Sequence, residues 1–96
     1  MVRRLTVAFA PERIYLFGSR ARGDADADSD YDLMVVVPER TTPMHALAQR
    51  AHALMWDLGT AVDILVWSRD EFDRRKHLQA SLPALVLEEG RLLNAA

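Results

Sequence analysis

The chain carries two hydrophobic periods, one typical of buried strands and one typical of amphipathic helices. Continuous apolar runs at 14–17, 31–37 and 61–67 predict three short strands. Between the last two runs, apolar residues recur every three or four positions: Leu47, Ala51, Leu54, Met55 and Leu58. This spacing places them on one face and predicts an amphipathic helix over about 43–58, which Gly59 closes.

Capping residues predict where the other helices begin and end. A first helix is expected over 2–10, and it stops there because the residue before Pro11 is driven out of helical space. Ser19 is the predicted N-cap of a helix of one to two turns. Thr42 is the predicted N-cap of the long helix, with Pro43 at its first position.

Further capping signals predict the elements of the last third of the chain. Ser68 and Glu71 match a capping box for a helix that follows the third strand. Another helix is expected from about Ser81 to Gly90, and a short edge strand at 92–93. Strands alternate with helices throughout, which predicts an α+β fold class with α/β-type layering: a small β-sheet, mixed or parallel, flanked by helices.

Composition limits the classes of function. The 96 residues predict a single domain over 1–96. A formal net charge of -2 gives no overall basic surface, so we expect no direct binding to a nucleic-acid backbone. The sequence contains no cysteine for disulfides or thiolate chemistry, and no apolar run approaches the ~20 residues of a membrane span. The N-terminus is too polar for a signal peptide, so a cytoplasmic location without membrane contact is expected.

The first candidate site is a glycine-serine turn. Gly18 and Ser19 lead from the first strand into a short helix, whose first N–H groups have no partner inside the helix. Phosphate binds such donors; the Ser19 hydroxyl adds another, and Arg20 or Arg22 would neutralise phosphate charge. Ordinary turns also use this pair, and arginine in a short helix often faces solvent. The lysine and glycine spacing of a P-loop is absent.

The second candidate site is acidic. Asp30 and Asp32 stand at the start of the most apolar strand and point the same way, ~6.6 Å apart along it. Ionised carboxylates this close repel each other unless a cation lies between them, and Mg²⁺ suits such ligands. Asp63, in the third apolar run, is the candidate third ligand of a two-ion site, or else an ordinary edge residue. The other alternating acids are interpreted as a solvated loop: Asp24, Asp26 and Asp28.

These two segments together resemble a known family. Gly18-Ser19, ten intervening residues and Asp30-Tyr31-Asp32 resemble the signature of the polymerase β-type nucleotidyltransferase superfamily. The longer run over 17–33 closely resembles the minimal nucleotidyltransferase group, and the order of elements resembles it from about residue 11 to the C-terminus. The resemblance implies a small mixed sheet flanked by helices.

The resemblance also implies a role for each residue. Ser19 and the Gly18 backbone would hold the β- and γ-phosphates of ATP. Asp30 and Asp32 would ligate two Mg²⁺ ions. Asp63 would share one ion and help deprotonate the attacking hydroxyl. The products would be a nucleotidylated acceptor and pyrophosphate.

A partner protein follows from the same resemblance. Many minimal nucleotidyltransferases pair with a HEPN-domain toxin, which implies an antitoxin that transfers AMP from ATP to a toxin tyrosine. Two alternatives stay open: a non-catalytic antitoxin that acts by occlusion, and a small-molecule nucleotidyltransferase of the aminoglycoside type. Elsewhere, His45 and His52 are interpreted as surface residues, and Trp56 and Trp67 as core or interface anchors.

Overall fold

The computed structural model describes residues 2–26 and 29–95. The helices are α1 Val2–Phe9, α2 Ser19–Arg22, α3 Met44–Met55, α4 Arg69–Arg75 and α5 Leu82–Glu89, and a 3-10 turn over Trp56–Leu58 continues α3. The strands are β1 Arg13–Phe17, β2 Tyr31–Val37, β3 Val62–Ser68 and β4 Arg91–Ala95. The elements expected from the hydrophobic pattern are therefore present, the short edge strand included.

The four strands form one mixed sheet in the order β3-β2-β1-β4. β1 runs antiparallel to both β2 and β4, whereas β2 and β3 are parallel. Parallel neighbours need a crossover connection, and α3 provides it between β2 and β3. The predicted α+β fold class is confirmed, and the sheet is the mixed one of the two forms expected.

Helices cover both faces of the sheet, and each face has its own apolar core. Leu33 and Val35 of β2 belong to the core that contains α1 and α3. Met34 and Val36 belong to the other core, together with Phe72 of α4 and part of α5. Alternate residues of β2 thus serve opposite faces, which explains why this strand is apolar along most of its length.

Two predicted N-caps are wrong. Ser19 lies inside α2, whose N-cap is Gly18, and no side chain caps that helix. Gly18 takes the turn itself with φ 75°, so Ser19 already has helical geometry. Pro43, and not Thr42, is the N-cap of α3, again with no side-chain hydrogen bond. Its ψ of 145° is extended, so the helix begins one residue later than expected, at Met44.

The predicted capping box of α4 is confirmed. The Ser68 hydroxyl accepts a hydrogen bond from the Glu71 backbone N–H, and Glu71 Oε1 accepts one from the Ser68 N–H, both at 3.1 Å. Arg40 donates to both Glu71 carboxylate oxygens, at 2.5 and 2.6 Å. These bonds, first those from Arg40 and then those from Ser68, lower the pKa of Glu71 to about 2.

The two tryptophans have different environments. Trp56 is 85% exposed on the 3-10 turn, so its interpretation as a core anchor is wrong. Trp67 packs partly buried against the α4–α5 core. His45 and His52 are exposed, as predicted. Over residues 2–26 and 29–95, none of the helices combines the length and the apolar character needed to cross a membrane.

Candidate active site

The candidate residues from the sequence lie at one end of the sheet, which is called the acidic edge below. β1 ends at this edge and β2 begins there, with Phe17 paired to Asp32 in the antiparallel register. Because β3 is parallel to β2, it begins at the same edge, and Asp63 is the register partner of Asp32. Register partners in a parallel pair leave the sheet on the same face, so the side chains of Asp32 and Asp63 begin next to each other.

Asp32 is the most enclosed of the three candidate carboxylates. It is half-buried, whereas Asp30 and Asp63 are exposed. Its pKa is raised, first by burial and then by the negative charges of Asp63 and Asp30, and the charge of Arg22 opposes this shift. Burial thus contributes most to the shift in the pKa of Asp32, and the two neighbouring carboxylates add to it.

Asp63 lies at the open border of the site. Its side chain is 69% exposed, and Oδ1 lies 3.9 Å from Nε2 of His52 on α3. β3 is an outer strand of the sheet, with no strand of the described residues beyond it, so the Asp63 side chain can extend around this lateral edge toward α3. Sequence reasoning missed this contact of His52, because no spacing along the chain shows which strand α3 will cover.

The three carboxylates fit a magnesium site in chemistry, but they do not form a closed cage. Within the described ranges, no three acidic, histidine or cysteine side chains are grouped closely enough to hold a metal ion by themselves. Mg²⁺ sites in phosphoryl-transfer proteins commonly use one or two carboxylates, with substrate phosphates and water as the remaining ligands. Asp30, Asp32 and Asp63 supply hard oxygen donors of this kind, and Asp30 and Asp63 lie close enough to Asp32 for their charges to raise its pKa.

Gly18 faces Asp32 at close range. Its φ and ψ of 75° and -158° fall in a region that is nearly exclusive to glycine. A Cβ at this position would overlap Asp32 Oδ2 and stand 3.1 Å from Asp32 Cγ. The turn between β1 and α2 therefore packs its bare backbone against the half-buried carboxylate.

The two arginines of α2 have protein partners. Arg20 donates two hydrogen bonds to the Ser29 carbonyl, from Nε at 3.0 Å and from a terminal nitrogen at 2.8 Å. Arg22 pairs with Asp24 at 3.2 Å and with Glu89 of α5 at 3.0 Å. A four-residue helix has few aligned peptide dipoles, so α2 adds little dipole charge to the site.

The acidic loop before β2 includes side chains that hold the loop together. Asp24 is exposed and forms its ion pair with Arg22. The Asp26 carboxylate accepts a hydrogen bond from the Ser29 hydroxyl, whose oxygen accepts one from the Asp26 N–H. Asp24 and Asp26 are both exposed, which agrees with their interpretation as parts of a solvated loop, while Asp28 lies outside the described residues.

A cleft lies at the opposite end of β2. It has a volume of about 420 Å³, and Phe9, Val37, Arg40 and Arg50 are among its lining residues. Arg40 is bound to Glu71, and Arg50 covers the Phe9 ring at 5.1 Å. Its arginines are thus engaged in structural contacts, and the candidate aspartates lie at the other end of the strand.

Sequence comparison assigns this architecture to a family. The profile of the nucleotidyltransferase domain matches residues 2–93. The chain belongs to this nucleotidyltransferase family. A relative from Methanocaldococcus jannaschii, named as a protein adenylyltransferase, is 32% identical over 82 residues, which are 85% of this nucleotidyltransferase and 77% of the relative. The resemblance seen in the glycine-serine turn and the aspartate pair is confirmed.

Solved structures share the fold. A chain of a toxin-antitoxin crystal structure with AMP-PNP superposes with a TM-score of 0.61 at 22% identity, over 99% of this nucleotidyltransferase and 71% of that chain. A structure from Sulfolobus solfataricus, named as a nucleotidyltransferase, has a TM-score of 0.56 at 25% identity, over 95% and 70% of the two chains. The domain thus has the nucleotidyltransferase fold over nearly all of its length.

Proposed function

We propose that this nucleotidyltransferase transfers AMP from ATP to a hydroxyl group of a partner protein, and that the partner is a toxin that the transfer inactivates. The observation that carries the proposal is the register pairing of Asp32 with Asp63 beside the Gly18 turn. A relative named as a protein adenylyltransferase supports a protein acceptor. Structural neighbours from toxin-antitoxin complexes support a toxin as that acceptor.

Each site residue has a proposed task. Asp30, Asp32 and Asp63 would hold Mg²⁺, which would supply positive charge to the phosphates of ATP. Gly18, which packs against Asp32, and Ser19, which follows it, would border the triphosphate. In the transfer, the acceptor oxygen forms a bond to the α-phosphorus, and the bond from that phosphorus to the bridging oxygen breaks. Pyrophosphate leaves with that electron pair, and Asp63 is the proposed acceptor of the hydroxyl proton.

Label transfer tests this proposal. The protein is incubated with Mg²⁺, ATP labelled at the α-phosphate, and the product of the neighbouring gene, which is expected to be a HEPN-domain chain. We expect label on a tyrosine of the partner and release of pyrophosphate. Asp32→Asn and Asp30→Asn should each lower the rate by at least about 100-fold, because each removes one charged ligand.

A matched variant controls for the change from carboxylate to amide. Asp70 lies on α4, and its side chain is 81% exposed, so Asp70→Asn should transfer label at the wild-type rate. Equal transfer by Asp32→Asn and wild type would contradict the proposal. Neutralisation of the toxin by Asp32→Asn without label would indicate occlusion instead. Label found only on an added aminoglycoside would indicate a small-molecule acceptor.

A further inference from the structure

We propose that Arg20 is a positioning residue, which holds the segment with Asp30 and Asp32 in place by hydrogen bonds to Ser29 and stacking on Tyr31. The inference rests on the proposed function, since it concerns the carboxylates that would bind Mg²⁺. It gives Arg20 a different task from the phosphate contact expected from the sequence. Three contacts on the described residues carry it.

The hydrogen bonds of Arg20 fix the backbone just before Asp30. Nε and a terminal nitrogen converge on the same Ser29 carbonyl, at 3.0 and 2.8 Å. A planar guanidinium that donates twice to one oxygen restricts both its own orientation and that of the acceptor peptide. Ser29 and Asp30 share that peptide bond, so the anchor acts directly on the position of Asp30.

The face of the same guanidinium covers the residue between the two aspartates. Cζ of Arg20 lies 4.1 Å from the centroid of the Tyr31 ring, the shortest of the arginine–ring distances among the described residues. Such stacking is favourable, and more so where the pair is partly shielded from water. Arg20 and Tyr31 are both half-buried, which meets that condition.

The contacts of Arg20 are linked to β3 through Tyr31. The Tyr31 backbone N–H donates to the Ala61 carbonyl at 2.9 Å, just before β3 and two residues before Asp63. A single arginine of α2 is therefore linked, through Tyr31, to the start of both strands that carry the aspartates. Residues that orient metal ligands in this way typically change metal affinity by 10–100-fold when they are replaced.

Direct metal binding distinguishes positioning from phosphate contact. Mn²⁺ alone, without nucleotide, is titrated against the full chain and followed by its electron paramagnetic resonance signal. Arg20→Lys keeps the positive charge but loses the double hydrogen bond and the flat stacking face. We expect its Mn²⁺ affinity to fall about 10-fold, and Tyr31→Leu to lower it by a similar factor. Hydrogen exchange of the amides at 29–33 should become faster in both variants.

Arg50→Lys is the matched control. Arg50 also covers an aromatic ring and donates to a backbone carbonyl, that of Ala8, but at the opposite end of the sheet. It should bind Mn²⁺ like the wild type. In transfer assays, high Mg²⁺ should restore most of the activity of Arg20→Lys while the KM for ATP stays within about 2-fold, because the proposal weakens the metal site and not a contact with phosphate.

The possible results separate the two proposals. Wild-type Mn²⁺ affinity in Arg20→Lys, with a raised KM for ATP, would overturn the positioning role in favour of a phosphate contact. An equal loss of affinity in Arg50→Lys would overturn it in favour of general destabilisation. If the wild type bound no Mn²⁺ without nucleotide, the titration is repeated with a non-hydrolysable ATP analogue, because phosphate oxygens would complete the set of ligands. No binding there either would defeat the proposed function, and the exchange rates at 29–33 would then decide alone whether Arg20 orders the segment.

Discussion

Replacing Gly18 with alanine tests whether the turn and the half-buried carboxylate depend on each other. The added Cβ would overlap Asp32 Oδ2, and the backbone at φ 75° and ψ -158° disfavours any side chain. To reach an ordinary van der Waals separation, the carboxylate must move by roughly 1 Å. The change therefore acts on stability through the backbone and on activity through Asp32.

The expected cost has two parts. A residue other than glycine in this backbone region loses about 1–3 kcal/mol. Forcing the Asp32 side chain away from its rotamer adds about 0.5–1.5 kcal/mol. A total near 3 kcal/mol lowers the melting temperature of a domain of this size by roughly 12–24 °C. A carboxylate misplaced by roughly 1 Å lowers the rate of transfer by about 100-fold.

Two comparisons isolate the contact. Gly23 also has a positive φ, 83°, but an added Cβ there meets nothing within 4 Å. Gly23→Ala should therefore cost only about 1–2 kcal/mol and leave the rate unchanged. Unfolding in urea is measured for both variants, and again for Gly18→Ala in an Asp32→Ala background, where the extra cost should fall. The reasoning is refuted if Gly18→Ala and Gly23→Ala have equal stability and equal rates.

Other predictions concern pH and packing. Because the pKa of Asp32 is raised on folding, its ionised form destabilises the fold at pH 7. Asp32→Asn should therefore have a higher melting temperature than the wild type at pH 7, and this difference should shrink as the pH falls toward about 4. The pKa of Glu71 is lowered from 4.5 to about 2, so its contribution is complete above pH 4.5 and is lost between pH 4.5 and about 2. As the pH falls from 4.5 to about 2, Glu71→Gln should therefore lose less stability than the wild type does. The difference should be about 1 kcal/mol, because solvent screens the contact with Arg40, and urea unfolding at each pH measures it. Phe72 is fully buried, and Phe72→Ala should cost about 3–5 kcal/mol, whereas Trp56→Ala should change stability by less than about 0.5 kcal/mol in the same assay. A large loss with Trp56→Ala would contradict its exposed position.

The sequence predicted the elements well because local chemistry determines them. The runs that became β1, β2 and β3 are apolar and short, and the capping box at Ser68 and Glu71 is a contact between residues three positions apart. The two wrongly predicted N-caps also have a local cause. At Gly18 and Pro43, backbone geometry sets the turn, and the neighbouring hydroxyls of Ser19 and Thr42 are not needed for it.

The contacts between side chains that are distant in the sequence could not be predicted from local sequence patterns. The sequence predicted the segment that contains Arg20, but its hydrogen bonds join it to Ser29, nine positions further along the chain. The approach of His52 to Asp63 depends on how α3 lies on the sheet edge, which is a result of core packing. Spacing along a chain carries no information about either contact. The two-residue spacing of Asp30 and Asp32 did predict that they lie close together, since the charge of Asp30 helps to raise the pKa of Asp32.

The parallel pairing of β2 and β3 makes the proposed three-aspartate site possible. If β3 ran antiparallel to β2, its beginning would lie at the far edge, and Asp63 would be separated from Asp32 by the length of a strand. The α3 crossover returns the chain so that both strands begin at one edge, in a register that places Asp32 beside Asp63. Burial first, and then the charges of Asp63 and Asp30 that this arrangement brings near, raise the pKa of Asp32, which is a cost to the fold. The same grouping of carboxylates is what a divalent cation would require, so the proposed function accounts for carboxylates that repel one another at this end of the sheet.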